Sequence, residues 1–115
     1  DEAGLARLQE EDRVIEIRAY DTVYGVWKYF TVWEEQMNLE RESYCLIGTL
    51  EAWNAMCQYF GREKMIPVYI EVEDGTRLIR AVERERTQEH PGYEELCRRF
   101  LADAKDFSEE NHQTI

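Results

Sequence analysis

The chain predicts an α/β fold, and three patterns carry that expectation. Two stretches near the start alternate like strands, two short continuous apolar runs flank a helical stripe, and two further helical patterns close the sequence. At 115 residues the chain is one domain or part of a larger one. With 43% hydrophobic and 12% aromatic residues it is too apolar for disorder, while 34% charged residues give it a wet surface.

Residues 2–11 (EAGLARLQEE) read as a short helix with Leu5 and Leu8 three apart. From Arg13 to Tyr20 the pattern switches to alternation. Ile15, Ile17 and Ala19 form an apolar face, and Glu16, Arg18 and Tyr20 a polar one. A turn around Asp21-Thr22, with Tyr24-Gly25 near the connection, leads into an aromatic-rich second strand, Val26 to Val32, antiparallel to the first. The runs Tyr44–Gly48 and Ile66–Val72 read as strands covered on both faces, as in a parallel sheet. Between them Leu50, Trp53, Cys57 and Phe60 make a helical stripe, with Thr49 as N-cap and Gly61 as the stop. Together these give a βαβ unit with a right-handed crossover. Asp74 is the expected cap of a helix running to Arg86 with Leu78 and Val82 inward. After a polar break at Thr87–Gly92, a last helix spans Tyr93 to Phe107 on a seam of Tyr93, Leu96, Cys97, Phe100, Ala104 and Phe107. The polar tail from Ser108 is expected to fray.

Charge and motifs narrow the chemistry. Fourteen Lys and Arg against 25 Asp and Glu leave a net charge of -11, which argues against a nucleic-acid binder. No run approaches the roughly 20 apolar residues of a membrane span, so no membrane partner is expected. Asp1 in place of Met reads as a processed or cut N-terminus. Cys45, Cys57 and Cys97 lack any C-x-x-C spacing and read as buried, reduced thiols of a cytoplasmic protein. Neither His90 nor His112 sits with a Cys, and Ser43 and Ser108 lie in no nucleophile elbow, which disfavours covalent hydrolysis. No metal-ligand spacing occurs; Asp103 and Asp106 read as surface carboxylates. Residues 77–99 hold six arginines and five glutamates, a net of +1, while the rest of the chain carries -12. Arg77, Arg80 and Arg84 share one helical face. The plainer reading is a solvated helix laced with Glu–Arg pairs from Glu83, Glu85 and Glu95. The sharper one is a set of guanidinium forks for phosphate.

The run VIEIRAYDTVYGVWKYFTV, with Glu16 eight residues before Tyr24-Gly25, resembles the GMP-binding lobe of the guanylate kinase family. YCLIGTLEAW, then IPVYIEVEDGTRLIRAVERERTQEHPGYEELCRRFLAD, resembles its core strand, helix and lid, ending in EELCRRF from Glu94 to Phe100. The resemblance covers residues 1 to about 108 and is nearest an atypical bacterial branch. It implies a partial P-loop nucleoside-monophosphate-kinase fold with parallel core strands and a crossover helix. Residues 1–43 would form part of the GMP lobe, 44–74 the core, and 75–110 the lid and following helix. It implies the reaction ATP + GMP to ADP + GDP, with Mg2+ carried largely by the ATP phosphates. Glu16 would accept from the guanine edge, Tyr24 would bond the GMP phosphate, and Gly25 would permit close approach. Arg84 or Arg86, with Arg99, would clamp the transferring phosphoryl group. Arg98 reads as a surface residue. The chain departs from the pattern in lacking a P-loop and a Thr-Thr-Arg-x-x-Arg segment, in Val26 where the family has Thr, and in Gly48-Thr49 where it has an acid. The isolated chain is therefore expected to be inactive, and a central strand of the family sheet is missing. The alternatives are a non-catalytic guanylate-kinase-like interaction module, and a fragment that forms a homodimer through exposed strand edges.

Overall fold

The computed structural model describes residues 1–112 and is mixed α/β, with helices and a single antiparallel sheet among those residues. The chain divides into two compact units. The first comprises Asp1–Tyr20 with Trp27–Ile66, and the second Asp21–Val26 with the chain from Pro67 onward.

In the first unit, α1 (Glu2–Glu10) starts at Asp1, whose carboxylate accepts from the Gly4 amide at 2.6 Å. Leu5 is its buried residue. The strands β1 (Val14–Thr22) and β2 (Gly25–Val32) pair as a hairpin, as their alternation and aromatic content predict. The turn is Val23-Tyr24 rather than Asp21-Thr22. Thr22 Oγ1 donates to the Gly25 carbonyl at 2.7 Å and accepts from the Tyr24 amide at 3.1 Å, which carries β1 two residues further than expected. Gly25 closes the turn at φ 107°, a conformation side-chain-bearing residues rarely adopt.

The hairpin keeps the two expected faces of β1 and covers the polar one. Glu16 is buried and Arg18 half-buried, while Ile17 is 41% exposed and Ala19 is exposed. Alternation fixes that two faces exist; a neighbour decides which one is covered. That neighbour is the N-terminus of α2 (Leu50–Phe60), reached through Thr49. Thr49 caps α2 by accepting from Ala52 at 3.3 Å, and Gly61 ends it, both as expected. Its buried stripe is Ala52 and Met56, one turn apart, with Trp53, Cys57 and Phe60 half-buried beside them. Trp33 packs against Phe60 at 5.8 Å between ring centroids.

In the second unit, α3 (Asp74–Arg86) packs against α4 (Tyr93–Asp106), and a single turn, α5 (Glu109–His112), lies in the tail expected to fray, whose last three residues lie outside the described residues. The cap of α3 is Glu73, not Asp74: its carboxylate accepts from the Gly75 and Thr76 amides, both at 2.7 Å. Leu96 is the buried apolar residue of α4, Phe107 stacks on Tyr69 at 6.0 Å, and the Arg77 guanidinium lies 4.8 Å above Phe100. Leu78 is exposed and Val82 half-buried, so α3 offers less apolar surface than its pattern suggests.

The parallel βαβ core is not formed. Tyr44–Gly48 and Ile66–Val72 both lie outside the sheet and outside any helix. A parallel strand depends on a ladder on at least one side and helices on its faces. Among the described residues neither run has a ladder, and Ile47, Ile66, Val68 and Ile70 point almost wholly into solvent. Both runs have the composition of strands, but neither is one here, because no ladder partner for them lies among the described residues. The thiols are likewise not a buried set: Cys45 and Cys97 are exposed and Cys57 half-buried, all three free. Cys45 falls in an unpaired run, and Cys97 follows Leu96 by one residue, which turns it off the packed side of α4.

Candidate functional site: two forked carboxylates and a set of exposed arginines

The first unit holds a polar network built on Glu16. Arg18, two residues along β1 and so on the same face, grips the carboxylate with Nε on Oε2 at 2.9 Å and Nη2 on Oε1 at 3.2 Å. Thr31 on β2 donates its hydroxyl to Oε1 at 2.6 Å. The remaining nitrogen, Nη1, donates to Thr49 Oγ1 at 3.1 Å, tying the hairpin to the cap of α2. The Glu16 side chain is 2% exposed and that of Arg18 14%. Burial works to lower the Arg18 pKa, but its bonds to Glu16 and Tyr20 outweigh that and leave it raised.

The second unit repeats the motif on a helix. Glu95 accepts from Arg98, one turn later on α4, with Nε at 3.1 Å from Oε1 and 2.9 Å from Oε2, and Nη2 at 2.7 Å from Oε1. Its third partner is the Val23 amide of the hairpin tip, which donates to Oε2 at 3.2 Å. The Arg98 hydrogen bonds, followed by the Val23 amide, hold the Glu95 carboxyl below the usual carboxylate range. Nearby, Glu85 accepts from the Gly92 amide at 2.8 Å, anchoring the end of the Thr87–Gly92 loop to α3. The Tyr24 hydroxyl lies so close to Gly92 that a Cβ there would stand 2.7 Å from it. Burial raises the Asp103 carboxyl, although Arg77 opposes the shift.

The residues expected to act together divide between the units. Tyr24, Gly25, Arg84, Arg86 and Arg99 belong to the second unit, and Glu16 to the first. Tyr24 is exposed at the tip of the hairpin, beside Gly92. Both Glu16 oxygens already accept hydrogen bonds, so a guanine edge could use this carboxylate only after Arg18 withdraws. Arg77 pairs with Asp74 at 2.9 Å, and Arg98 belongs to Glu95 instead of being a bystander at the surface. Arg80, Arg84, Arg86 and Arg99 are exposed, and none makes an ion pair among the described residues. Glu95 was expected to pair with an arginine and does, although it is buried and not on a solvated face; sequence reading missed Arg18 and Thr31 as partners of Glu16. The i,i+3 spacing of Glu95 and Arg98 was available as a signal, but the Val23 contact, 72 positions away, was not.

Among the described residues no cluster of three or more His, Cys, Asp or Glu side chains could hold a metal ion, and no helix is long and apolar enough to cross a membrane. The chain matches no protein-family description, no curated protein and no solved structure.

Proposed function

We propose that the chain carries acceptor-nucleotide and lid parts of a guanylate-kinase-like phosphotransferase, working in the cytoplasm on GMP and ATP with Mg2+ borne by the ATP. One observation supports the reading above the rest. Arg80, Arg84, Arg86 and Arg99 stand exposed and make no ion pair among the described residues, in a chain of net charge -11. Exposed guanidinium groups without an ion pair among the described residues keep their planar forks available to a phosphate. In this reading Arg84, Arg86 and Arg99 clamp the phosphoryl group, Tyr24 bonds the acceptor phosphate with Gly25 giving room, and Glu16 takes the base once Arg18 releases it. The chain has no Gly-x-x-x-x-Gly-Lys cradle, so it does not turn over ATP and GMP by itself.

Calorimetric titration with GMP, guanosine and AMP tests the reading. GMP should bind, guanosine should not, and added salt should weaken the binding. Exchanging Arg84, Arg86 and Arg99 together for Gln should abolish it, and Glu16→Gln should erase any preference for GMP over AMP. Failure of every nucleotide to bind overturns the kinase reading. The alternative, a non-catalytic interaction module of the same family, is favoured by the saturated, buried state of Glu16 and would be left standing by that result.

A further inference from the structure

Ile66–Val72 (IPVYIEV) is a strand sequence without a sheet. Ile66, Val68 and Ile70 are 87%, 82% and 79% exposed, whereas Tyr69 between them is 41% exposed and stacked on Phe107. That period of two is the alternation of extended chain, with its β-branched face open to solvent. Such a run is a template for another strand.

We propose that its occupant is the same segment of a second copy, paired antiparallel about a two-fold axis through Tyr69. A two-fold interface must complement itself, and this run does. Around Tyr69 the order Ile66, Val68, Ile70, Val72 reads as an apolar β-branched residue at every alternate position in both directions. Pairing about Tyr69 sets Val68 opposite the partner's Ile70 and Ile66 opposite the partner's Val72, each twice, pairs of the kind that stabilise sheets. The one charge within the run, Glu71, falls opposite the partner's Pro67, so no like charges face each other.

Pro67 supplies an independent constraint. In an antiparallel ladder, directly opposed residues alternate between pairs that exchange both backbone hydrogen bonds and pairs that exchange none. Pro67 has no N–H to give and must occupy a pair of the second kind. Tyr69 and Glu71 then share that kind. Ile66, Val68, Ile70 and Val72 take all the hydrogen-bonded positions, and each has an N–H. The three exposed apolar residues, Ile66, Val68 and Ile70, therefore all fall at hydrogen-bonded positions, and the fourth such position is the half-buried Val72.

Sedimentation of the full chain over a dilution series tests the proposal, with three variants at exposed positions. The unaltered chain should pass from dimer to monomer on dilution. Ile70→Lys should remain monomeric because it removes an apolar pair and adds charge. Ile70→Pro should do the same because it removes a ladder N–H. Glu71→Pro, whose N–H points away from the partner, should leave the dimer intact. A chain that stays monomeric up to millimolar concentration overturns the proposal. So does a dimer that survives both Ile70 variants, and loss of the dimer in Glu71→Pro overturns the pairing about Tyr69.

Discussion

Glu16 on β1 and Glu95 on α4 solve one problem in two ways. Each is a buried carboxylate, each is gripped by the guanidinium of a near neighbour in sequence, and each takes a third donor from a distant segment. On the strand the arginine comes two residues later, on the helix three, because those spacings return to the same face. They differ in what surrounds the pair. Arg18 is itself nearly buried and spends its last nitrogen on Thr49, whereas Arg98 keeps 29% of its side chain in solvent. The strand network is thus a sealed tie between hairpin and helix cap. The helix network is half open, with a backbone amide as its third member.

The largest expected effect separates the two. Arg18→Met strands the Glu16 carboxylate without its countercharge and should cost about 3–5 kcal/mol, as loss of one partner from a buried pair does. Arg98→Met leaves Glu95 with the Val23 amide and access to water, and should cost about 1–3 kcal/mol. Urea unfolding of both variants, followed by far-UV dichroism, measures the gap. Equal losses would break the distinction between sealed and open networks.

A second pair of substitutions probes the third donors. Thr31→Val removes the hydroxyl that binds Glu16 while keeping the shape of the side chain, and should cost about 1.5–3 kcal/mol for a lost hydrogen bond to a charged group, Oε1 keeping its bond from Arg18. Thr49→Ala removes both the α2 cap and the Arg18 contact. The cap alone is worth about 0.5–2 kcal/mol, and coupling to Arg18 should make the double variant Arg18→Met/Thr49→Ala less than additive. Additive losses would mean that the hairpin and the cap of α2 are energetically separate despite the 3.1 Å bond between them.

These networks show where the sequence was legible. Local rules located α1, the hairpin, α2, α3 and α4 to within a few residues, because periodicity, Thr49 and Gly61 are signals carried by the segment itself. Glu73 was overlooked as a cap because Asp is the shorter and commoner choice, yet the longer carboxylate one residue earlier reaches the same two amides. What failed depends on partners. The apolar runs at Tyr44–Gly48 and Ile66–Val72 have the composition of sheet strands, but composition cannot supply a neighbouring ladder. Which face of β1 is covered was not legible for a related reason. A polar face can be the covered one when its charge is paired inside it, and that pairing shows only once Arg18 is seen to reach Thr49.

The smallest expected effect, a pH dependence, returns to Glu95. Its carboxyl is held below the unfolded value, about 4.3 for Glu, so the folded chain binds that proton less readily than the unfolded one. A depressed carboxyl contributes stability that is complete above the unfolded pKa and is lost as pH falls through the folded one. Protection of the Val23 amide against hydrogen exchange should therefore hold at pH 6 and decline below about pH 4, after correction for the intrinsic exchange rate. Glu95→Gln has no titrating group at this position. Its Val23 amide should be weakly protected throughout and should show no acid transition. A transition of equal size in Glu95→Gln would assign the pH response to another carboxyl, and would leave the open network without the titrating role that distinguishes it.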